Sequence, residues 1–193
     1  PADYADIRYE ENRKVRILYE GRKLSDVAST SSAGGHARAY ADGGKAIASF
    51  SDPGRAGPIA HSTCASAVRI GALREKPLRM ADAPVIVRSF PVAPAQDPRT
   101  IPLRQKLELA AHYNDMILNE PKVVTTQTVY DEFASQRVFV NRDGSVIEYE
   151  LLNCGIAGMI VTKKGSIVQR VRFAFGGSED YGRLLDRAED LQV

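Results

Sequence analysis

The chain has almost no net charge, few cysteines and histidines, and no long hydrophobic run. Its 26 Lys and Arg stand against 24 Asp and Glu, a net charge of +2. Bulk electrostatics therefore favours neither nucleic acid nor an anionic membrane as a partner. No apolar stretch approaches the ~20 residues of a membrane span, and no signal peptide precedes the first strand pattern. Two cysteines, Cys64 and Cys154, lie far apart in sequence. That usage points to a reduced, cytoplasmic setting with both as small apolar fillers, although a disulfide between them stays open. The chain opens at Pro1 rather than Met, directly before a strand pattern, so a trimmed N-terminus is expected.

Motifs of catalysis are equally scarce. None of the three histidines, His36, His61 and His112, is followed by Glu, so no His-Glu-x-x-His or His-Glu-x-x-x-His zinc motif exists. His61 and Cys64 share a helix face, but zinc takes three or four ligands. There is no Gly-x-x-x-x-Gly-Lys-Ser/Thr loop, and the Gly pairs at 34–35, 43–44 and 176–177 lack a dinucleotide fingerprint. Gly176-Gly177-Ser178 reads as a turn and helix cap rather than an anion site. Asp6 and Glu10 share a strand face, yet among Arg8, Arg13 and Lys14 they read as a solvated charged face rather than an acid–base pair. Ser29 to Ser32 have no local activating partner. No residue is assigned a catalytic, cofactor-binding or metal role.

What the sequence does hold is a repeat. Val15–Gly21 and Val138–Gly144 are similar, as are the stretches ending Asp42–Phe50 and Lys163–Val171. Gly21 and Gly144 lie 123 positions apart, and so do Gly35 and Gly158. Each copy reads as strands joined by Gly turns and followed by a helix-like segment. Alternation predicts strands at Ala5–Glu11, Val15–Tyr19, Leu24–Ser31 (polar enough for an edge), His36–Ala41 and Ala46–Phe50. In the second copy it predicts them at Val123–Tyr130, Ser135–Val140, Val146–Leu152, Ile156–Thr162 and Ile167–Phe175. One helix is expected over Pro58–Leu73, burying Ile59, Thr63, Ala67, Ile70 and Leu73. Another is expected with Thr100 as cap, Pro102 in its first turn, and Leu103, Leu107, Ala110, Ala111, Asn114, Ile117 and Leu118 inward. A last helix is expected behind Ser178 as its cap, with Glu179 and Asp180 complementing its dipole. Residues 77–102 carry six of the ten prolines and read as a stiff connector, with Val85–Val87 a short strand at most.

Hydrophobic residues at 44% and charged residues at 26% of 193 are ordinary for a globular protein. Short strands joined by tight turns imply antiparallel pairing. The expected fold is α+β: a mostly antiparallel sheet from two pseudo-repeated β-meanders, about 5–75 and 101–193, with helices on one face, in a single domain.

Tyr4–Glu11, Gly35–Gly43 with Ala46–Ser49, Asn141–Gly144 and Phe175–Tyr181 together resemble the N-terminal domain of the TldD/PmbA metalloprotease family, closer to its TldD branch. Members were once described as modulators of DNA gyrase. The resemblance covers essentially the whole chain, and its motifs are fold and turn signatures. The family often has Gly-Phe-Ala-Ser where this chain has Ala46–Ser49, and Asn-Ser-Glu-Gly where it has Asn141–Gly144. A helix that usually precedes the first strand is missing. The resemblance implies a non-catalytic domain that shapes the substrate cleft and the subunit interface of a zinc-dependent peptidase. Its zinc motif, His-Glu-x-x-x-His with a later Cys, belongs to a C-terminal domain absent here, so this chain alone is expected to hold no cofactor and to be inactive. Implied partners are small or unfolded polypeptides and an identical or related subunit, as a dimer, with no nucleic acid and no membrane. A stand-alone binding or structural module is the alternative. An independent enzyme would need two of His36, His61 and His112 to converge.

Overall fold

The computed structural model describes residues 2–74, 81 and 83–191. The parts of the expected connector at 77–80 and 82 lie outside them. Among the described residues seven strands and two α-helices follow in the order β1 (Tyr4–Glu20), β2 (Lys23–Ala41), β3 (Gly44–Phe50), α1 (Ala56–Gly71), β4 (Val87–Phe90), α2 (Leu103–Leu118), β5 (Val123–Asn141), β6 (Val146–Lys164) and β7 (Ile167–Ser178). Hydrogen-bonded neighbours run β3-β2-β1-β5-β6-β4, and β7 pairs with β6. The fold is α+β and mostly antiparallel, with helices packed against the sheet.

The pairs of short strands expected from the sequence are fused. Residues 5–11 and 15–19 belong to one strand, β1, and residues 24–31 and 36–41 to another, β2. The same holds for β5 and β6 in the second copy. Gly34 and Gly35 do not break β2, because neither adopts a positive φ. Gly35 answers a packing demand instead. A Cβ there would lie 2.4 Å from the Arg8 carbonyl oxygen and 2.7 Å from the Phe50 ring. Gly158 in β6 has the same surroundings: the Gln127 carbonyl at 2.1 Å and the Phe173 ring at 2.7 Å. The registers agree, with Gly35 opposite Phe50 and Gly158 opposite Phe173. The 123-residue offset of the sequence thus recurs in strand register, though Gly35 and Gly158 sit inside strands rather than in turns. Gly21 and Gly144 do occupy turns, with φ of +55° and +101°, a region that favours glycine.

Two compact units divide the residues. The first comprises residues 1–12, 31–91 and 135–150; the second comprises 13–30, 92–134 and 151–193. Each draws on both copies of the repeat.

In the first unit, α1 packs on β3 through a stripe of small residues. Thr63, Ala67 and Gly71 are buried, one turn apart on one face. Ala67 joins Ala2, Ala39 and Ala41 in a small core. Ile70 and Leu73, expected inward, are 38% and 86% exposed. The close helix–strand approach admits only small side chains, so the larger ones face away. The proline-rich segment is more than a connector: β4 pairs with β6 from Val87↔Val146 to Phe90↔Tyr149, and this pairing is parallel. The strand expected at Val85–Val87 begins only at Val87.

The second unit has the larger core, with Val15 and Ile17 of β1, Ala110, Tyr113 and Ile117 of α2, Tyr130, Ile156, Ile160 and Phe175. Asn114 is buried at the centre of it and fully employed. Its amide donates to the Gly21 carbonyl at 2.8 Å, and its Oδ1 accepts from the Thr126 and Thr128 hydroxyls at 2.6 and 3.0 Å. One polar side chain thereby ties α2 to β5 and to the β1–β2 turn. Thr100 does not cap α2. It ends a 3-10 turn, Pro98–Thr100, capped by Asp97, and Pro102 precedes the helix.

The expected last helix is two 3-10 turns, Tyr181–Leu184 and Ala188–Leu191. The cap is Asp180, which accepts from Gly182 N at 2.8 Å, rather than Ser178. Buried Tyr181, Leu184 and Leu191 anchor this segment. The Tyr113 hydroxyl donates to the Leu184 carbonyl at 2.7 Å and accepts from Arg187 N at 3.0 Å. The backbone breaks between the two turns, where Leu185 is extended (φ −85°, ψ 151°) and Asp186 has a positive φ of +54°. Among the described residues no helix is long and apolar enough to cross a membrane.

Candidate functional site

Strand alternation puts two different faces on the sheet of the first unit. One carries the alanines and lies under α1. The other carries Asp6, Arg8 and Glu10 of β1, His36, Arg38 and Tyr40 of β2, Arg137 and Phe139 of β5, and Ile147 and Tyr149 of β6. A cavity of about 610 Å³ opens on this second face, lined by Arg8, Glu10, His36, Arg137, Phe139, Ile147 and Tyr149 among others. Phe139 and Ile147 supply apolar surface, and the guanidinium groups and His36 supply donors.

The electrostatics of this face are organised around paired carboxylates. Asp6 is buried, and its Oδ2 accepts from Arg38 Nε at 2.9 Å and from the second guanidinium nitrogen at 2.5 Å. The expectation of a solvated charged face is therefore wrong for Asp6: the partner that buries it, Arg38, is thirty-two positions away and invisible to local spacing. Asp6 in turn raises the Arg38 pKa through this hydrogen bond, against an opposing effect of burial. Burial first, and then the Asp6 charge, push the Tyr4 phenol upward. Glu10 is exposed and pairs with Arg137 at 3.2 Å. Arg137 also donates to the Ser135 hydroxyl at 3.1 Å. The Arg8 guanidinium stands 5.3 Å from the centre of the Phe139 ring.

A second polar cluster lies inside the second unit. Lys106 Nζ pairs with Glu132 Oε2 at 2.5 Å, with both side chains almost wholly buried. The Tyr130 hydroxyl donates to the same oxygen at 2.8 Å. Glu132 Oε1 has no hydrogen-bond partner among the described residues. Burial first, and then Glu132, push the Tyr130 phenol far up. The same two causes push the Cys154 thiol up to about 12 from 9.0. Neither Lys106 nor Glu132 was singled out by the sequence, because a charged residue within an amphipathic pattern reads as solvent-facing.

The three histidines are scattered. His36 is half-buried on β2, and His61 and His112 are exposed on α1 and α2. Among the described residues no group of three His, Cys, Asp or Glu could hold a metal ion. The donors among the described residues therefore do not assemble a zinc centre. Both cysteines are free thiols, with Cys64 half-buried and Cys154 buried. At pH 8 an alkylating reagent is expected to label Cys64 in the native chain and to spare Cys154 until urea is added. Peptide mapping by mass spectrometry reads this directly, and equal labelling of the two in the native state would contradict the burial of Cys154.

The model for PmbA/TldA metallopeptidase domain 1 matches residues 5–70. A metalloprotease of Methanothermobacter thermautotrophicus is 28% identical over 193 residues, covering 98% of this chain and 40% of the relative. Over residues 5–70 the chain is thus similar to the first domain of PmbA/TldA metallopeptidases. A metalloprotease of Synechocystis is 26% identical over 184 residues, covering 95% of this chain and 39% of that relative. The chain thus spans about two fifths of the length of the curated relatives it matches. The fold recurs in a Thermotoga maritima protein described as a modulator of DNA gyrase, with a TM-score of 0.77 over 97% of this chain and 42% of that one, at 10% identity. It recurs also in TldE of Thermococcus kodakarensis, with a TM-score of 0.67 over 98% of this chain and 42% of that one, at 15% identity.

Proposed function

We propose that this chain belongs to the PmbA/TldD family as a non-catalytic domain of a zinc-dependent peptidase, shaping the cleft that receives small or unfolded polypeptides and part of the contact with an identical or related subunit. The match to a metallopeptidase first domain carries this reading. In this role zinc and its acid–base partner are supplied from outside this chain. The second unit offers a place for extended peptide. Among the described residues the only strand beyond β2 in the strand order is β3, whose pairing covers residues 35–41. Residues 23–30 therefore form an edge, with Leu24 and Val27 exposed. An edge of this kind can hydrogen-bond an added strand. A cytoplasmic, dimeric protein is the setting this role implies.

The purified chain is expected to show no chelator-sensitive hydrolysis of a fluorogenic unfolded peptide in the presence of zinc. Zinc-dependent turnover abolished by a chelator would overturn the non-catalytic role. A peptide carrying a photoreactive group is expected to crosslink to residues 23–30, read by mass spectrometry.

A further inference from the structure

Strand alternation on the open face of the first unit gathers five cations, Arg8, Arg38, Lys45, Arg88 and Arg137, against two carboxylates, Asp6 and Glu10. Lys45 belongs to this face because it pairs opposite Tyr40, and Arg88 because it pairs opposite Ile147. Both carboxylates are already engaged, Asp6 by Arg38 and Glu10 by Arg137. Three cations, Arg8, Lys45 and Arg88, remain without a carboxylate partner among the described residues. Each of the five stands over an aromatic ring: Arg8 over Phe139, Arg38 and Lys45 over Tyr40, Arg88 over Phe90, and Arg137 over Tyr149.

We infer that the cavity at Arg8, His36 and Arg137 is a binding site for acidic peptide segments, with Arg8 receiving an Asp or Glu side chain of the ligand. This deepens the reading above and rests on its peptide ligand. The physical reason is a mismatch of charge. A guanidinium held over a ring keeps its planar fork of donors free in the plane, and that fork fits a carboxylate with two parallel hydrogen bonds. The apolar floor of Phe139 and Ile147 lowers the local dielectric and strengthens such a bond. The cavity volume of about 610 Å³ suits one or two side chains. Nucleic acid is the other polyanion that a basic aromatic face suggests. It is disfavoured here because the cavity rings Phe139 and Tyr149 each already carry a guanidinium and Tyr9 is stacked on Phe50, which leaves little bare ring for bases.

The test compares three fluorescent probes by anisotropy with the purified chain. Two are unstructured peptides identical except that three Glu in one are Gln in the other, and the third is oligo(dT). The Glu peptide is expected to bind about ten-fold more tightly than the Gln peptide, with the gap closing at high salt. Arg8→Gln is expected to bring the two peptides to within about two-fold while the circular dichroism spectrum stays unchanged. Equal affinity of the wild-type chain for both peptides overturns the acidic site and leaves peptide binding itself standing. Binding of neither peptide overturns both. Tighter binding of oligo(dT) than of the Glu peptide overturns the site in favour of a nucleic-acid surface. The wild-type comparison decides even where the variant fails to fold.

Discussion

Replacing Lys106 by Met is expected to destabilise the protein by about 3–5 kcal/mol, because it strands the Glu132 carboxylate in the second unit's interior. Lys106 and Glu132 are almost fully buried and pair at 2.5 Å. One Glu132 oxygen receives both Lys106 and the Tyr130 hydroxyl, and the other has no hydrogen-bond partner among the described residues. With the ammonium gone, the carboxylate keeps only the phenol. It must then take up a proton or draw in water, and the packing around Tyr130 and Cys154 loosens either way. Glu132→Leu alone leaves a buried ammonium and is expected to cost a similar amount. The double variant Lys106→Met with Glu132→Leu is expected to cost far less than the two added together, since neither charge is then left unpaired. Urea unfolding of the four proteins measures the coupling. Single losses under about 1 kcal/mol that add in the double variant would show that the pair is solvated and energetically idle.

Gly158→Ala is expected to destabilise by at least about 1–3 kcal/mol, a reversal of the usual gain from removing glycine. The added Cβ would meet the Gln127 carbonyl oxygen at 2.1 Å and the Phe173 ring at 2.7 Å. The nearest obstacle is backbone, so relief requires β5 and β6 to separate locally. Gly35→Ala meets the Arg8 carbonyl at 2.4 Å and the Phe50 ring at 2.7 Å, and is expected to behave alike. Gly57 supplies the contrast. It lies in α1 with no atom within 4 Å of its ideal Cβ, so Gly57→Ala is expected to stabilise by about 0.5–1 kcal/mol through helix propensity. Thermal unfolding of the three variants should therefore give two losses and one gain. A neutral Gly158→Ala would mean that the strand spacing around Gly158 is looser than described.

The two substitutions bear on function through different links. The Lys106–Glu132 pair lies inside the second unit, whose edge strand is proposed to receive peptide, so its loss acts on that edge only through stability. Gly35 adjoins the cavity of the first unit, and a Cβ there presses on β1 at Arg8. The Gly35→Ala variant is thus expected to weaken binding of the acidic peptide as well as stability.

Much of this protein was legible in the sequence because the relevant physics is local. Period-two alternation located every one of the longer strands, the 3.6-residue period located α1 and α2, and the Gly turns at 21 and 144 follow from the conformations only glycine adopts cheaply. The offset between Gly35 and Gly158 carried the doubled register, and the turn and strand phrases carried the resemblance to PmbA/TldD proteins. Tertiary structure decided the rest, for reasons that are non-local. Whether Gly35 interrupts a strand depends on the neighbouring strand's carbonyl and on a phenylalanine fifteen residues on. Whether Asp6 is solvated depends on Arg38, and whether Lys106 faces water depends on Glu132 on another element. The open face with its cations laid on aromatic rings exists only once β1, β2, β5 and β6 lie side by side, because alternation tells which residues share a face but not what that face confronts.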